Sequence, residues 1–170
     1  FGVQDDFMYQ YALPILNERA GTGNPFFSVL LSISNHPPYV IPPYFHPHSD
    51  VLEEQIVEYA DWSIRQFMQA AEKQPWFDNT IFVFLGDHGK MVGTPECEMP
   101  QSYNHIPLMI YGKDIKPGVY DGFGGQVDVS PTLLGLLNIS YLQNNFGVNL
   151  LEEERPCMFF TADNLIGARD

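Results

Sequence analysis

Asp87 and His88 stand side by side at the end of an apolar, aromatic run, Ile81-Phe82-Val83-Phe84-Leu85-Gly86, and Gly89 follows them at once. A carboxylate oxygen beside an imidazole is a ligand pair for zinc, manganese or a similar divalent ion. Gly89 gives the backbone room to turn sharply after the pair. The same spacing also suits a helix N-cap aspartate with a bystander histidine, so locally both readings stand. The other histidines are His36, His46, His48 and His105. His36 follows one apolar run, Phe26 to Ile33, and His105 precedes another, Ile106 to Tyr111, so three imidazoles flank strand ends. His46-Pro47-His48 sits in a polar, proline-rich stretch and reads as exposed loop. A catalytic zinc draws about three ligands from its protein, so Asp87 and His88 make half a site. The chain has no G-x-S-x-G elbow, Walker A loop or H-E-x-x-H helix, and no activated nucleophile stands out.

The elements that must carry these residues follow from punctuation and period. Asp5 and Asp6 can cap a helix running toward Arg19, with Pro14 imposing a kink or an earlier break. Phe26 to Ile33 reads as a buried strand that discharges into the stiff loop Ser34-Asn35-His36-Pro37-Pro38-Tyr39. Asp50 with Glu53 resembles a capping box opening a helix to about Lys73, whose Ile56, Ala60, Ile64, Phe67 and Ala71 form the face packed on a sheet. The strand ending at Asp87 comes next, so residues 26 to 88 form a strand, helix, strand unit. Lys90 to Tyr103 reads as irregular, Ile106 to Tyr111 as a strand, and Asp114 to Gly125 as a hairpin region. Ser130 can cap a helix with Pro131 at its first position, and Cys157 to Thr161 is a closing strand.

Composition bounds the function. A hydrophobic content of 45% with 17% charged residues describes a globular chain able to fill a core. A formal charge of −13 with only eight Lys and Arg argues against nucleic acid as a partner. Cys97 and Cys157 lack CxxC spacing, which excludes a zinc ribbon and leaves a single disulfide open. The chain starts at Phe1 without initiator Met, signal peptide or membrane-spanning run, and reads as a fragment of one domain.

Together the ordered motifs resemble those of the alkaline phosphatase and sulfatase superfamily: Asp78-Asn79-Thr80 leading into Gly86-Asp87-His88-Gly89, then Asn104-His105-Ile106-Pro107-Leu108, then Gln126-Val127-Asp128-Val129-Ser130-Pro131-Thr132-Leu133-Leu134. Asn35-His36-Pro37-Pro38-Tyr39 after a strand is most similar to the lipoteichoic acid synthase and phosphoglycerol transferase branch. The resemblance runs from about Phe1 to Leu151. It implies an α/β fold, a sheet of mostly parallel strands flanked by helices, of which residues 1–170 are the C-terminal portion. It further implies a bacterial enzyme anchored by N-terminal membrane helices, with its catalytic domain outside the cytoplasmic membrane. Asp87 and His88 would bind the catalytic manganese, magnesium or zinc, and His36 would contact the substrate phosphate. His105 lies where related enzymes place an anion-contacting or second-metal residue. The family's Thr, Ser or formylglycine nucleophile and its first acidic metal ligand lie upstream of this sequence, so the fragment alone is expected to be inactive.

The expected activity of the full-length protein is therefore metal-dependent transfer or hydrolysis of phosphate esters on an extracytoplasmic lipid or glycan. One rival keeps the fold and makes the enzyme a sulfatase of sulfated glycans. Another is a metal-free glycan-binding module stacking sugars on Tyr39, Tyr44, Phe45 and Trp76.

Overall fold

The computed structural model describes residues 2–90, 94, 97–99, 101–162 and 164–170. The chain divides into two compact units, Phe1–Ile81 and Phe82–Asp170, each described by itself. Part of the irregular stretch expected from Lys90 to Tyr103 lies outside the described residues, and its end is helical, Gln101–Asn104, where a loop was expected.

The first unit is a pairing of helices: α1 (Asp5–Gly21) packs on α2 (Leu52–Ala71), and a 3-10 turn follows at Phe77–Asn79. The amphipathic period of α2 holds, because Ile56, Tyr59, Ser63, Phe67 and Ala71 are buried at helical spacing. The partner of that face differs from the expected sheet: it packs on α1, with the Tyr9 and Phe67 rings stacked 5.0 Å apart. Pro14 does not break α1. It stands on the exposed side, and the carbonyl that loses its donor belongs to the exposed Gln10, which solvent can satisfy.

Asp5 and Asp6 are not caps. Gln4 is the N-cap and its side chain makes no capping bond, while both aspartates are buried in the first turn. Asp5 Oδ1 accepts the Ile33 and Ser34 N–H groups at 3.0 Å each, and the Asp5 N–H donates to Ser34 Oγ at 3.0 Å. Asp6 accepts the Tyr59 hydroxyl at 2.6 Å and the Tyr44 hydroxyl at 2.8 Å. Buried carboxylates need such donors, and here the donors come from far along the chain, so the two acids tie α1 to the following loop and to α2. The Asp50–Glu53 capping box is likewise replaced. Val51 is the N-cap of α2, and Ser49 Oγ accepts the Val51 N–H at 3.0 Å while donating to Glu54 at 2.5 Å.

The largest departure is the segment Phe26 to Ile33, which forms no strand ladder and leaves Phe27 85% and Leu31 78% exposed. The described part of this unit contains no other strand, and a strand without a partner cannot exchange ladder hydrogen bonds. The expected strand, helix, strand crossover is therefore absent from the described ladders.

The second unit contains β1 (Phe82–Leu85), α3 (Gln101–Asn104), β2 (Leu108–Tyr111), α4 (Gln126–Leu136), β3 (Met158–Ala162) and β4 (Leu165–Arg169). β1 pairs antiparallel with β2 in the register Phe82↔Tyr111 to Leu85↔Leu108, and β3 pairs antiparallel with β4. The described strands thus make two small antiparallel sheets, and no mostly parallel sheet is among them. Asp114 to Gly125 forms a loop, without the expected hairpin. β4 adds a strand beyond the expected closing one. Its Gly167 faces Phe160 across the ladder, and a Cβ there would come within 2.5 Å of the Phe160 ring.

α4 begins at Gln126, not at Ser130, because Asp128 Oδ2 accepts the N–H of the N-cap Gly125 at 2.8 Å. Pro131 accordingly lies inside the helix. The Asp128 carboxylate is fully buried, receives the Val148 N–H at 2.8 Å, and is gripped by Arg155 through Nε at 2.7 Å and Nη2 at 2.6 Å. Burial alone would push this carboxyl up. The Arg155 fork and the two backbone N–H donors outweigh it and hold Asp128 below the usual carboxylate range. Cys97 and Cys157 are free thiols, so the possible disulfide does not form. No helix among the described residues is long and apolar enough to cross a membrane.

Candidate active site

β1 delivers the Gly86-Asp87-His88-Gly89 turn at its carboxyl end, as its apolar run and terminal glycine dictate. The antiparallel register carries the chain before β2 back along this turn. The Gly86 N–H donates to the Pro107 carbonyl at 3.4 Å and the Gly89 N–H to the Tyr103 carbonyl at 2.9 Å, so residues 103–107 are pinned beside residues 86–89. Gly89 is required there, since a Cβ would run into the Ser102 carbonyl oxygen and come 2.9 Å from that of Tyr103. The Tyr103 ring stacks on the His88 imidazole, with centroids 6.1 Å apart and planes inclined by 27°.

Asp87 and His88 are open to solvent, with side chains 78% and 65% exposed. The His88 N–H donates to Asp87 Oδ1 at 2.9 Å in a bend, and no helix begins at residues 88–90 for this carboxylate to cap. His88 Nδ1 lies 2.7 Å from the Gly89 carbonyl oxygen. A carbonyl can only accept, so Nδ1 carries the proton and the neutral ring keeps its lone pair on Nε2. That is the tautomer a ligating histidine adopts when its other nitrogen donates to a backbone carbonyl. Nε2 lies 3.7 Å from Asp87 Oδ2, a spacing at which two donors, each about 2.0–2.2 Å from an ion, can share it. The residues fit a divalent cation, with the remaining ligands to be supplied from elsewhere; among the described residues no group of three or more His, Cys, Asp or Glu could hold one.

His105 is exposed in the pinned segment between α3 and β2, and among the described residues no hydrogen bond or ring contact joins it to Asp87 or His88. Next to it, Asn104 Nδ2 is buried and has no hydrogen-bond partner among the described residues.

In the first unit, His36 lines an open cleft of ≈ 310 Å³ together with Gln4, Ile33, Ser34 and Pro38. The Asp5 carboxylate, by holding the Ile33 and Ser34 N–H groups, fixes the loop from which His36 projects. His36 Nδ1 lies 2.7 Å from the Pro37 carbonyl oxygen, the same contact with the next residue's carbonyl that His88 makes, so its Nε2 is the nitrogen left for a ligand.

Three of the four aromatics of the glycan-binding reading make other contacts, although the Tyr44 ring stays exposed. Tyr44 donates to Asp6, Phe45 packs 5.4 Å from Tyr59 and 5.5 Å from Trp62, and Trp76 Nε1 donates to Asn17 at 2.6 Å. His48 is tied to Glu58 by its N–H at 2.6 Å and by Nδ1 at 3.2 Å, as an exposed structural loop residue would be. Asp128 and Arg155 were not singled out by sequence reasoning. An aspartate two residues before the expected cap Ser130, with Arg155 the next arginine along the chain, was the available signal.

The fold is that of the alkaline phosphatase superfamily. A structure from that superfamily in Vibrio parahaemolyticus matches 99% of this chain and 42% of its own, with a TM-score of 0.88 at 27% identity. The lipoteichoic acid synthase LtaP of Listeria monocytogenes matches 94% of this chain and 45% of its own, with a TM-score of 0.79 at 26% identity. Residues 1–139 match the sulfatase family model, and the chain belongs to that family. Lipoteichoic acid synthase 2 of Bacillus subtilis is 26% identical over 202 residues, covering 99% of this chain. The chain spans 29% of the length of that relative.

Proposed function

We propose that the chain is the C-terminal portion of a catalytic domain that, in the complete protein, transfers or hydrolyses phosphate esters on an extracytoplasmic lipid or glycan, in the manner of a phosphoglycerol transferase. The observation that carries this reading is the contact of His88 Nδ1 with the Gly89 carbonyl, which leaves Nε2 beside Asp87 Oδ2 in a sulfatase-family turn. Asp87 and His88 hold a manganese, magnesium or zinc ion. When bound, such an ion polarises a phosphoryl oxygen and favours ionisation of a hydroxyl nucleophile, which this reading places in sequence before Phe1. The Nδ1 contact with the Gly89 carbonyl orients the His88 ring and leaves Nε2 as the nitrogen for the ion, and Asp87 supplies negative charge at the same point. His36 offers Nε2 to the substrate's anionic oxygens, and His105 is a second candidate for that contact. Membrane anchoring of the complete protein, through segments outside this sequence, belongs to the same proposal.

A sulfatase acting on sulfated glycans is the second reading, favoured by the sulfatase family match itself. The decisive experiment assays the complete protein on a phosphoglycerol diester and on an aryl sulfate, before and after chelation and with metal restored. The proposal expects phosphodiester turnover that chelation abolishes and metal restores. Turnover of the sulfate alone would favour the second reading, and activity indifferent to thorough chelation would refute the metal role.

A further inference from the structure

Gln126 is the first residue of α4, and its side chain is exposed. Its amide nitrogen Nε2 donates to the Gly86 carbonyl at 3.1 Å and to the Asp87 carbonyl at 2.7 Å. Those carbonyls belong to the two peptide planes that meet at the Asp87 Cα. Fixing both planes fixes the backbone dihedrals of Asp87 and hence the direction in which its side chain leaves the turn. The base of this clamp is rigid, because two residues further along the helix the Asp128 carboxylate is buried, bonded to Gly125 and Val148, and gripped by Arg155. A stiff helix start therefore holds an otherwise open, solvent-exposed turn.

We propose that Gln126 is a positioning residue for the Asp87–His88 pair, one that sets the affinity of the site for its cation without touching it. The proposal rests on the reading of Asp87 and His88 as metal ligands. Groups that orient ligands typically change metal affinity by about 10- to 100-fold when removed. Gln126 does this through the backbone: its two N–H bonds stop the Gly86–Asp87 and Asp87–His88 peptides from rotating, so the carboxylate meets the cation already aimed.

The test titrates the metal-stripped complete protein with manganese, and in a second series with zinc, for wild type, Gln126→Met, Gln126→Ala, Asp87→Ala and a control, Gln143→Met. Gln143 also donates its amide to backbone carbonyls, those of Asn145 and Gly147, in a loop of the same unit. Thermal unfolding of each metal-free variant is followed alongside. Both Gln126 variants should bind metal about 10-fold or more weakly than wild type while melting at the wild-type temperature, and excess metal should restore most of their turnover. Gln143→Met should bind metal as wild type does. Wild-type affinity in the Gln126 variants, with binding lost in Asp87→Ala, would overturn the role of Gln126 and leave the ligand reading intact. Unfolding of both Gln126 variants would make the residue a general structural strut and overturn it also. Wild-type affinity in Asp87→Ala would remove the ligand reading, and the positioning role with it.

Discussion

Arg155 grips Asp128 with two prongs, Nε to Oδ2 at 2.7 Å and Nη2 to Oδ1 at 2.6 Å, and the carboxylate between them is fully buried. A third bond, from Nη2 to the Phe146 carbonyl, extends the grip to the loop after α4. Removing Arg155 strands a buried charge. Arg155→Ala should cost about 3–5 kcal/mol in chemical denaturation, much more than Arg65→Ala, whose pair with Asp61 is exposed and worth about 0.3–0.5 kcal/mol. Because the folded carboxyl of Asp128 is held below its ordinary value, its contribution is present above the unfolded pKa of about 3.9 and is lost as pH falls below it. Arg155→Ala should therefore flatten the acid limb of the stability profile measured between neutral pH and about pH 3.

At the alkaline end the sign reverses. Burial, with the nearby Asp5 charge, pushes the Tyr9 hydroxyl up to about 12, and burial together with the Asp6 hydrogen bond raises Tyr59 as well. A phenol whose folded pKa is raised stabilises fully below the unfolded value of about 10 and loses that contribution as pH rises through the folded one. Stability of the protein should fall between about pH 10 and 12, and Tyr59→Phe should reduce the fall while lowering stability at neutral pH by leaving Asp6 short of a donor. Equilibrium unfolding at stepped pH reads both.

Gly89→Ala should be severe for its size. The added methyl meets the Ser102 and Tyr103 carbonyl oxygens, both backbone, so neither can swing aside as a side chain would. The Gly89–Tyr103 bond and the Tyr103 stack on His88 should go with it. The expected result is loss of metal binding with a smaller loss of stability, measured by metal titration and by thermal unfolding of the complete protein.

The sequence made the turn legible because its signals are local: an apolar run, a glycine, an acid, an imidazole and another glycine leave few conformations open. The α2 face was legible for the same reason, through its period. Strand partnership was not, because Phe26 to Ile33 is strongly apolar, like β1, yet pairs with nothing described, and apolarity does not say which strand lies alongside. The antiparallel pairing of β1 with β2 also escaped, although it pins the His105 segment beside Asp87 and His88. Asp5, Asp6 and Asp128 were hard to read because each holds backbone or side chains well removed from it in sequence, while a helix-cap pattern looks only three residues ahead. Gln126 stood at the head of a recognised motif without a role until its amide was seen against the Gly86 and Asp87 carbonyls.

The claim at the centre of this account is that Asp87 and His88 ligate the metal while His36 serves the substrate. Elemental analysis of the purified complete protein, beside steady-state kinetics on the phosphodiester, tests it most directly through Asp87→Ala and His36→Ala. Asp87→Ala should lose metal and turnover together, whereas His36→Ala should retain wild-type metal content and lose turnover by about 10²-fold or more, as expected for one donor to a developing anion. Full metal content in Asp87→Ala, or metal stripped from His36→Ala as thoroughly as from Asp87→Ala, would contradict the assignment.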